Sequence, residues 1–232
     1  MGPLQLPLVE VLTATPRSLL VRLDLKEHPF RFEAGQAVMV GVGGNEPRPF
    51  SIANSPTDVS TSGRLELLVG SYIEGDTAWA APGAIVSVEG PMGDFTFARA
   101  PRTPHVLFVA GGVGIAPLRS MLHEALRDPS GPSITLLYSA RRSDEFAFID
   151  EFRTHAHSGR VVLHQTVTRE GATAWEGWRG RVGKDEFGRV LREPTGTTCF
   201  VCGPASLVSH TIEVLRSLGV PDSLLRTEQW GG

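Results

Sequence analysis

Three glycines fall within four residues in HVLFVAGGVGIAPLRSML, His105 to Leu122, between an apolar run and apolar residues resuming at helical spacing. Bare backbone there lets a buried strand turn into a helix without Cβ clashes. Gly111, Gly112 and Gly114 leave N–H groups and the positive end of a helix directed at one point. Pro117 suits the first helical turn, where an N–H has no partner to lose. The result is an anion site able to hold a dinucleotide pyrophosphate. The pattern is G-x-G-x-x-P, with Pro117 in place of the usual third glycine, and no Lys-Ser or Lys-Thr closes the loop, which removes a nucleotide kinase. By itself the segment is equally a ligand-free turn.

A second constellation is RPFSIANSP, Arg48 to Pro56, a cation, a ring and a hydroxyl on a strand that ends in turn residues. Arg48 could pair bidentately with a phosphate, Phe50 could lie on a planar ring system, and Ser51 could hydrogen-bond the edge of that ring. The alternative is an edge strand with a surface arginine and a core phenylalanine. GPMGDFTF, Gly90 to Phe97, adds a glycine-rich turn with exposed N–H groups. The histidines, among them His123, His155, His157, His164 and His210, show no paired metal spacing with a third ligand, so no metal is expected, and the HAH pair at 155 and 157 reads as solvent-exposed. No nucleophile elbow is present, which removes hydrolase chemistry.

Two kinds of element must position these residues. Residues 4 to about 97 alternate apolar and polar side chains in short runs such as SLLVRLDL, QAVMVGV, RPFSIA, RLELLVG and AIVSVEG, cut by turn signals, as in an all-β barrel or sandwich. From His105 the runs VLFVA, SITLLYS, VVLHQTV and TCFVC are compact and apolar, like central parallel strands. Between them Leu118, Met121, Leu122, Ala125 and Leu126 make one helix face, and Leu207, Val208, Thr211, Ile212 and Leu215 make another. Strand and helix in alternation give right-handed βαβ units and a parallel sheet. The linker ARAPRTP places the boundary near residue 100, giving domains 1–100 and 101–232; 232 residues suffice for two cores. A net charge of −3 argues against general attraction to nucleic acid or anionic membrane. The longest apolar run contains three glycines and a proline, so no membrane span is expected. The N-terminus lacks the features of a signal peptide, and two cysteines fit a reducing cytoplasm.

Four motifs in a fixed order, RPFS, GPMGDF, GGVGIAPL and VCGP, with a weaker fifth in the terminal TEQW, make the whole sequence resemble the ferredoxin–NADP reductase superfamily of flavoprotein reductases. The resemblance implies an N-terminal antiparallel Greek-key β-barrel for FAD and a C-terminal α/β domain with a five-stranded parallel sheet for NADPH or NADH. It implies that Arg48, with Pro49 beside it, clamps the flavin phosphate, that Phe50 stacks on the isoalloxazine, and that Ser51 donates to N5. Asn54 would shape the next turn. Gly75 and Thr77, with Gly90 and Gly93, would meet the flavin phosphates. Gly111, Gly112, Gly114 and Pro117 would hold the nucleotide, and Ser139, Arg141 and Arg142 its ribose end, with a lean to NADPH. Cys202, followed by Gly203 and Pro204, would face the nicotinamide; Glu228 would supply or polarise a proton, and Trp230 would cover the ring. The implied activity is hydride transfer from NAD(P)H to FAD and release of electrons to a separate acceptor, a redox protein or small molecule. Two cysteines cannot hold the two-iron two-sulfur cluster that many relatives carry. The rival reading is a non-catalytic flavin- and nucleotide-holding subunit of a larger redox complex.

Overall fold

The computed structural model describes residues 2–26, 28–43, 46–70, 79–170 and 175–230. Strands β1 (Leu4–Thr15), β2 (Ser18–Asp24), β3 (Ala37–Gly41), β4 (Arg48–Ser51), β5 (Arg64–Gly70) and β6 (Ile85–Met92) form an antiparallel sheet in the order β4-β3-β6-β1-β2-β5. Just past β4, Ile52 bridges Leu67 of β5, so the two edges meet and the sheet closes. Closure leaves no free edge and buries one side chain in two, among them Leu6, Leu8, Val21, Leu23, Val38 and Leu65.

One helix interrupts the expected all-β half. Helix α1 (Pro56–Ser62) is rich in Ser and Thr, which reads locally as a turn, but a capping box between Ser55 and Asp58 and a proline in its first turn start it. Gly63 ends it in the left-handed conformation, φ 67°.

Strands β7 (His105–Gly111), β8 (Ser133–Ala140), β9 (Val161–Val167), β10 (Trp178–Arg179), β11 (Thr197–Gly203) and β12 (Leu225–Gln229) form a parallel sheet in the order β10-β9-β8-β7-β11-β12. Helices α2 (Ile115–Leu126), α3 (Ile149–His157), α4 (Lys184–Val190) and α5 (Ala205–Ser217) accompany it. The sheet has six strands where five are expected. The additional pairing is β10, two residues joined to Thr166 and Val167 of β9, too short to leave a period in the sequence. Strand order reverses between β7 and β11, which opens a crevice at their carboxyl ends, the usual ligand position in such sheets.

The two halves share a core. Leu68 stands on the polar face of β5 by alternation, yet it is buried, because that face packs on the α/β domain together with Ala34, Ala53 and Phe95. Phe200 of β11 meets Phe95 and Phe97 from the barrel side at ring separations of 5.8 and 6.0 Å, and Phe108 of β7 at 5.4 Å. No helix among the described residues is long and apolar enough to cross a membrane.

Candidate active site

The end of β4 and the carboxyl ends of β7, β8 and β11 face one another across a cleft of about 760 Å³. Arg48, Pro49, Phe50 and Ser51 line it from the barrel. Gly111, Gly112, Gly114, Ser139, Arg141, Gly203 and Pro204 line it from the α/β domain, and Trp230 from the end of the chain. Its volume lies in the range of small-molecule and cofactor sites.

The glycines have distinct reasons. Gly112 adopts φ 54°, a left-handed conformation that opens the turn, and a short 3₁₀ turn over Gly112–Gly114 feeds α2, of which Pro117 is the third residue. Gly114 packs on backbone: a Cβ there would overlap the carbonyl of Cys202. A Cβ on Gly203 would lie 3.1 Å from the Gly111 Cα, so the ends of β7 and β11 approach closely because both residues are glycine.

Charge in the cleft runs against that of the chain. Among the described residues that line it are five arginines, Arg17, Arg48, Arg141, Arg169 and Arg181, and a single carboxylate, Glu145. Guanidinium groups beside bare backbone and a helix N-terminus suit a phosphate-bearing ligand. An aromatic ring at Phe50, half-buried and 5.8 Å from Trp79, with the Ser51 hydroxyl next to it, adds a surface for a planar ring and a donor for its edge. The donor set therefore fits a flavin on the barrel side and a pyridine nucleotide on the other.

Two family models divide the chain: residues 3–97 match the oxidoreductase FAD-binding domain and residues 108–212 match the oxidoreductase NAD-binding domain. A ferredoxin–NADP reductase B of Sorangium cellulosum (strain So ce56) is 33% identical over 217 residues, 87% of this chain and 86% of that one. The chain belongs to the ferredoxin–NADP reductase family. As a member it is a flavoprotein oxidoreductase that uses FAD and NAD(P)H. The reductase component of naphthalene 1,2-dioxygenase/salicylate 5-hydroxylase systems from a Ralstonia species is 28% identical over 202 residues, 86% of this chain and 61% of that one. The crystal structure of Amycolatopsis cytochrome P450 reductase GcoB superposes with a TM-score of 0.83 at 26% identity, covering 98% of this chain and 69% of that one. A Neisseria gonorrhoeae ferredoxin NADP+ reductase with bound FAD and NADP shares the fold, with a TM-score of 0.83, 18% identity and 99% coverage of both chains.

In this family member β12 pairs with β11 beside the cleft, its Glu228 in register with Cys202. Glu228 Oε2 accepts from Trp230 Nε1 at 3.0 Å and lies 3.5 Å from Ser51 Oγ, the outer limit of a hydrogen bond. Burial pushes its carboxyl up to about 7, the two hydrogen bonds acting in the opposite direction. Cys202 is fully buried, and burial, reinforced by the Glu228 charge, pushes its thiol well up, so it is a neutral thiol. Trp230 closes over this spot, its backbone N–H donating to the Gly203 carbonyl at 3.3 Å.

Other sequence candidates fall elsewhere. Asn54 is buried and ties β4 to β5 by bonds to the Arg64 carbonyl and the Glu66 N–H. Arg142 is exposed and turned toward Asp144, 3.3 Å away, outside the cleft lining. Gly90 packs on Ala37 and Val38, and the Gly93 carbonyl accepts from Gln36; neither lines the cleft. Gly75 and Thr77 lie outside the described residues. His157 is exposed as expected, but His155 is half-buried beside His123, at a ring separation of 6.1 Å. Cys199 and Cys202 face the cores on opposite sides of the sheet, so the C-x-x-C spacing makes no pair. Sequence reasoning missed Arg17, Arg169, Arg181 and His210, which line the cleft from loops and helices with no motif of their own.

Proposed function

We propose that this protein transfers hydride from NADPH to FAD across the cleft and passes the electrons to a separate redox partner. The supporting observation is that the RPFS strand and the glycine turn open into one cleft. FAD, when bound, would supply the redox chemistry; the chain's task is geometric and electrostatic. Arg48 would neutralise the flavin phosphate, Phe50 would bear on the ring, and Ser51 would turn its hydroxyl from Glu228 to the ring edge. Gly111, Gly112 and Gly114 would admit the nucleotide pyrophosphate to the N-terminus of α2, and Arg141, Arg169 and Arg181, which line the same cleft, would hold its further phosphate-bearing end. Ser139 and Arg141, at the carboxyl end of β8, favour a 2′-phosphate and hence NADPH. The Glu228 carboxyl, raised to about 7 by burial, takes up and returns a proton near neutral pH, with the Ser51 hydroxyl donating to its Oε2 at 3.5 Å. Trp230 covers Gly203 and must swing aside for a nicotinamide to reach Ser51. We take the boundary between the two working units to lie near residue 100.

The acceptor is a one-electron carrier of the ferredoxin type, the reading favoured by the names of the relatives in Sorangium and Ralstonia. The test is anaerobic mixing of the purified yellow protein with NADPH or NADH, followed by a panel of acceptors. Bleaching by NADPH at lower concentration than by NADH supports the reading. A bound flavin indifferent to both nicotinamides would instead make the chain a holding subunit.

A further inference from the structure

Helix α2 carries the glycine turn at its start and, one turn later, a set of bonds into the other domain. Arg119 Nη1 donates to the Ala53 carbonyl at 3.0 Å and to Glu66 Oε2 at 2.8 Å. Its Nε and Nη2 donate to the two oxygens of Glu151 on α3 at 2.8 to 3.0 Å. The guanidinium also lies 4.3 Å above the ring of Phe148, a residue held at φ 59°. Ser120, with no exposed surface, donates from Oγ to the Asn54 carbonyl at 2.8 Å. Ala53 and Asn54 are the second and third residues after Ser51.

Farther along α2, His123 lies between Asp58 Oδ2 at 2.8 Å and Glu151 Oε1 at 2.6 Å; it bonds neither the Ala53 nor the Asn54 carbonyl, and its link to the chain after Ser51 runs through Asp58 to the Ser55 N–H. His123, Glu151 and His155 bring ligand atoms within 4.8 Å of one another. A dication there would compete with Arg119 for both Glu151 oxygens and with carboxylates for both His123 nitrogens. Arg119, Arg22, Arg64 and the protonated His123 face Glu66, Glu151, Asp58 and Glu10, so the network holds four cations and four carboxylates without a metal.

We propose that Arg119 and Ser120 are positioning residues for hydride transfer: by gripping the Ala53 and Asn54 carbonyls they set Ser51 in register with the glycine turn. The inference rests on the reading of the cleft given above. Both ends of the link belong to stiff structure, a helix on one side and a strand end tied to β5 on the other, so a shift at α2 reaches Ser51 almost undiminished. Displacement of a reacting geometry by about 1 Å costs on the order of 100-fold in rate. Lysine cannot replace Arg119, because one ammonium cannot span Ala53, Glu66 and Glu151 in a fixed fork.

Three variants of the flavin-loaded protein test this: Ser120→Ala, which removes one neutral hydrogen bond and leaves no buried charge unpaired, Arg119→Lys, and His123→Gln as the control on the same helix. Flavin reduction at saturating NADPH is measured by stopped flow. Amide hydrogen exchange of residues 52–54, which excludes the Ser55 N–H bonded to Asp58, is measured with and without NADP+. Ser120→Ala and Arg119→Lys are expected to slow reduction about 5- to 50-fold with the NADPH dissociation constant changed less than 2-fold. They should also abolish the protection that NADP+ gives residues 52–54 in the wild type. His123→Gln should lower thermal stability yet keep both the rate and the protection. Wild-type rates and protection in Ser120→Ala and Arg119→Lys, or equal slowing in His123→Gln, would overturn the positioning role alone. A wild-type flavin that neither nicotinamide reduces would overturn the functional reading and this role with it.

Discussion

Glu228 and Ser51 show how single side chains acquire their chemistry from position. Burial raises the Glu228 carboxyl from its ordinary value of 4.5 to about 7. The folded protein therefore binds one more proton than the unfolded chain between those values, and this group's contribution to stability falls as pH rises through that window. Flavin turnover should show an inflection near pH 7 that Glu228→Gln removes; a profile unchanged by the substitution would take Glu228 out of proton exchange. Ser51→Ala should slow flavin reduction about 10- to 100-fold with little change in melting temperature, read by stopped flow and thermal denaturation. Ser51, Arg48 and Arg141 were legible as residues because each sits in or beside a motif. Arg169 and Arg181 were not, since their approach to the cleft depends on where loops far apart in sequence cross.

The turn between β7 and α2 was legible as an element, but its glycines do different work. Gly112 provides the left-handed turn, whereas Gly114 lets the helix start lie against the Cys202–Gly203 backbone. Because the obstacle at Gly114 is backbone, Gly114→Ala cannot be relieved by a side-chain rotation; it should cost about 2 to 4 kcal/mol and weaken NADPH binding, measured by denaturant unfolding and titration. Gly188 on α4 is the contrasting case, exposed, in helical conformation and with nothing within 4 Å of a Cβ. Gly188→Ala should stabilise by about 0.5 to 1 kcal/mol, chiefly by restricting the unfolded chain. Helix α1 and strand β10 escaped the sequence reading: seven hydroxyl-rich residues held by a cap, and two residues held by a neighbouring strand, carry no periodic signal.

The whole molecule is held together across the domain junction by an aromatic cluster and a partly buried ion network. Phe200→Ala would leave a cavity where Phe95, Phe97 and Phe108 converge and should cost about 3 to 5 kcal/mol. The network adds a pH signature. Burial alone would lower the His123 pKa, but its bonds to Asp58 and Glu151 raise it from 6.5 to about 9. A raised folded value means that this contribution is complete below about 6.5 and is lost as pH rises through about 9. Facing it are Asp58, held below the usual carboxylate range chiefly by the His123 hydrogen bond, and Glu151. Burial would raise the Glu151 carboxyl, yet its bonds to His123 and Arg119 hold it at about 2; His155 lies alongside. At the opposite end of the parallel sheet His105, bonded to Thr197 and Thr135, is kept neutral by burial and the Arg192 charge, which lower its pKa to about 4. Its contribution is complete above about 6.5 and is lost as pH falls through about 4. Melting temperatures of wild type and His123→Gln should therefore differ most below pH 6.5 and converge above pH 9; a constant difference across that range would contradict the ionic role.

Periodicity, turn chemistry and the order of four motifs were sufficient in the sequence alone to indicate an antiparallel half, a parallel half, a glycine-opened turn from strand to helix and the family. These depend on the backbone's local steric rules and on burial of one strand or helix face, which a one-dimensional pattern records. Which outer faces meet was decided only in three dimensions. Leu68 is apolar on a strand's polar side because a second domain covers it, and Cys199 and Cys202 are separated because three steps along a strand reverse the face. Arg119 becomes a link between the two halves because a helix from one packs over a strand end of the other. Contacts of that kind join residues dozens of positions apart, and no local rule of chain geometry encodes them.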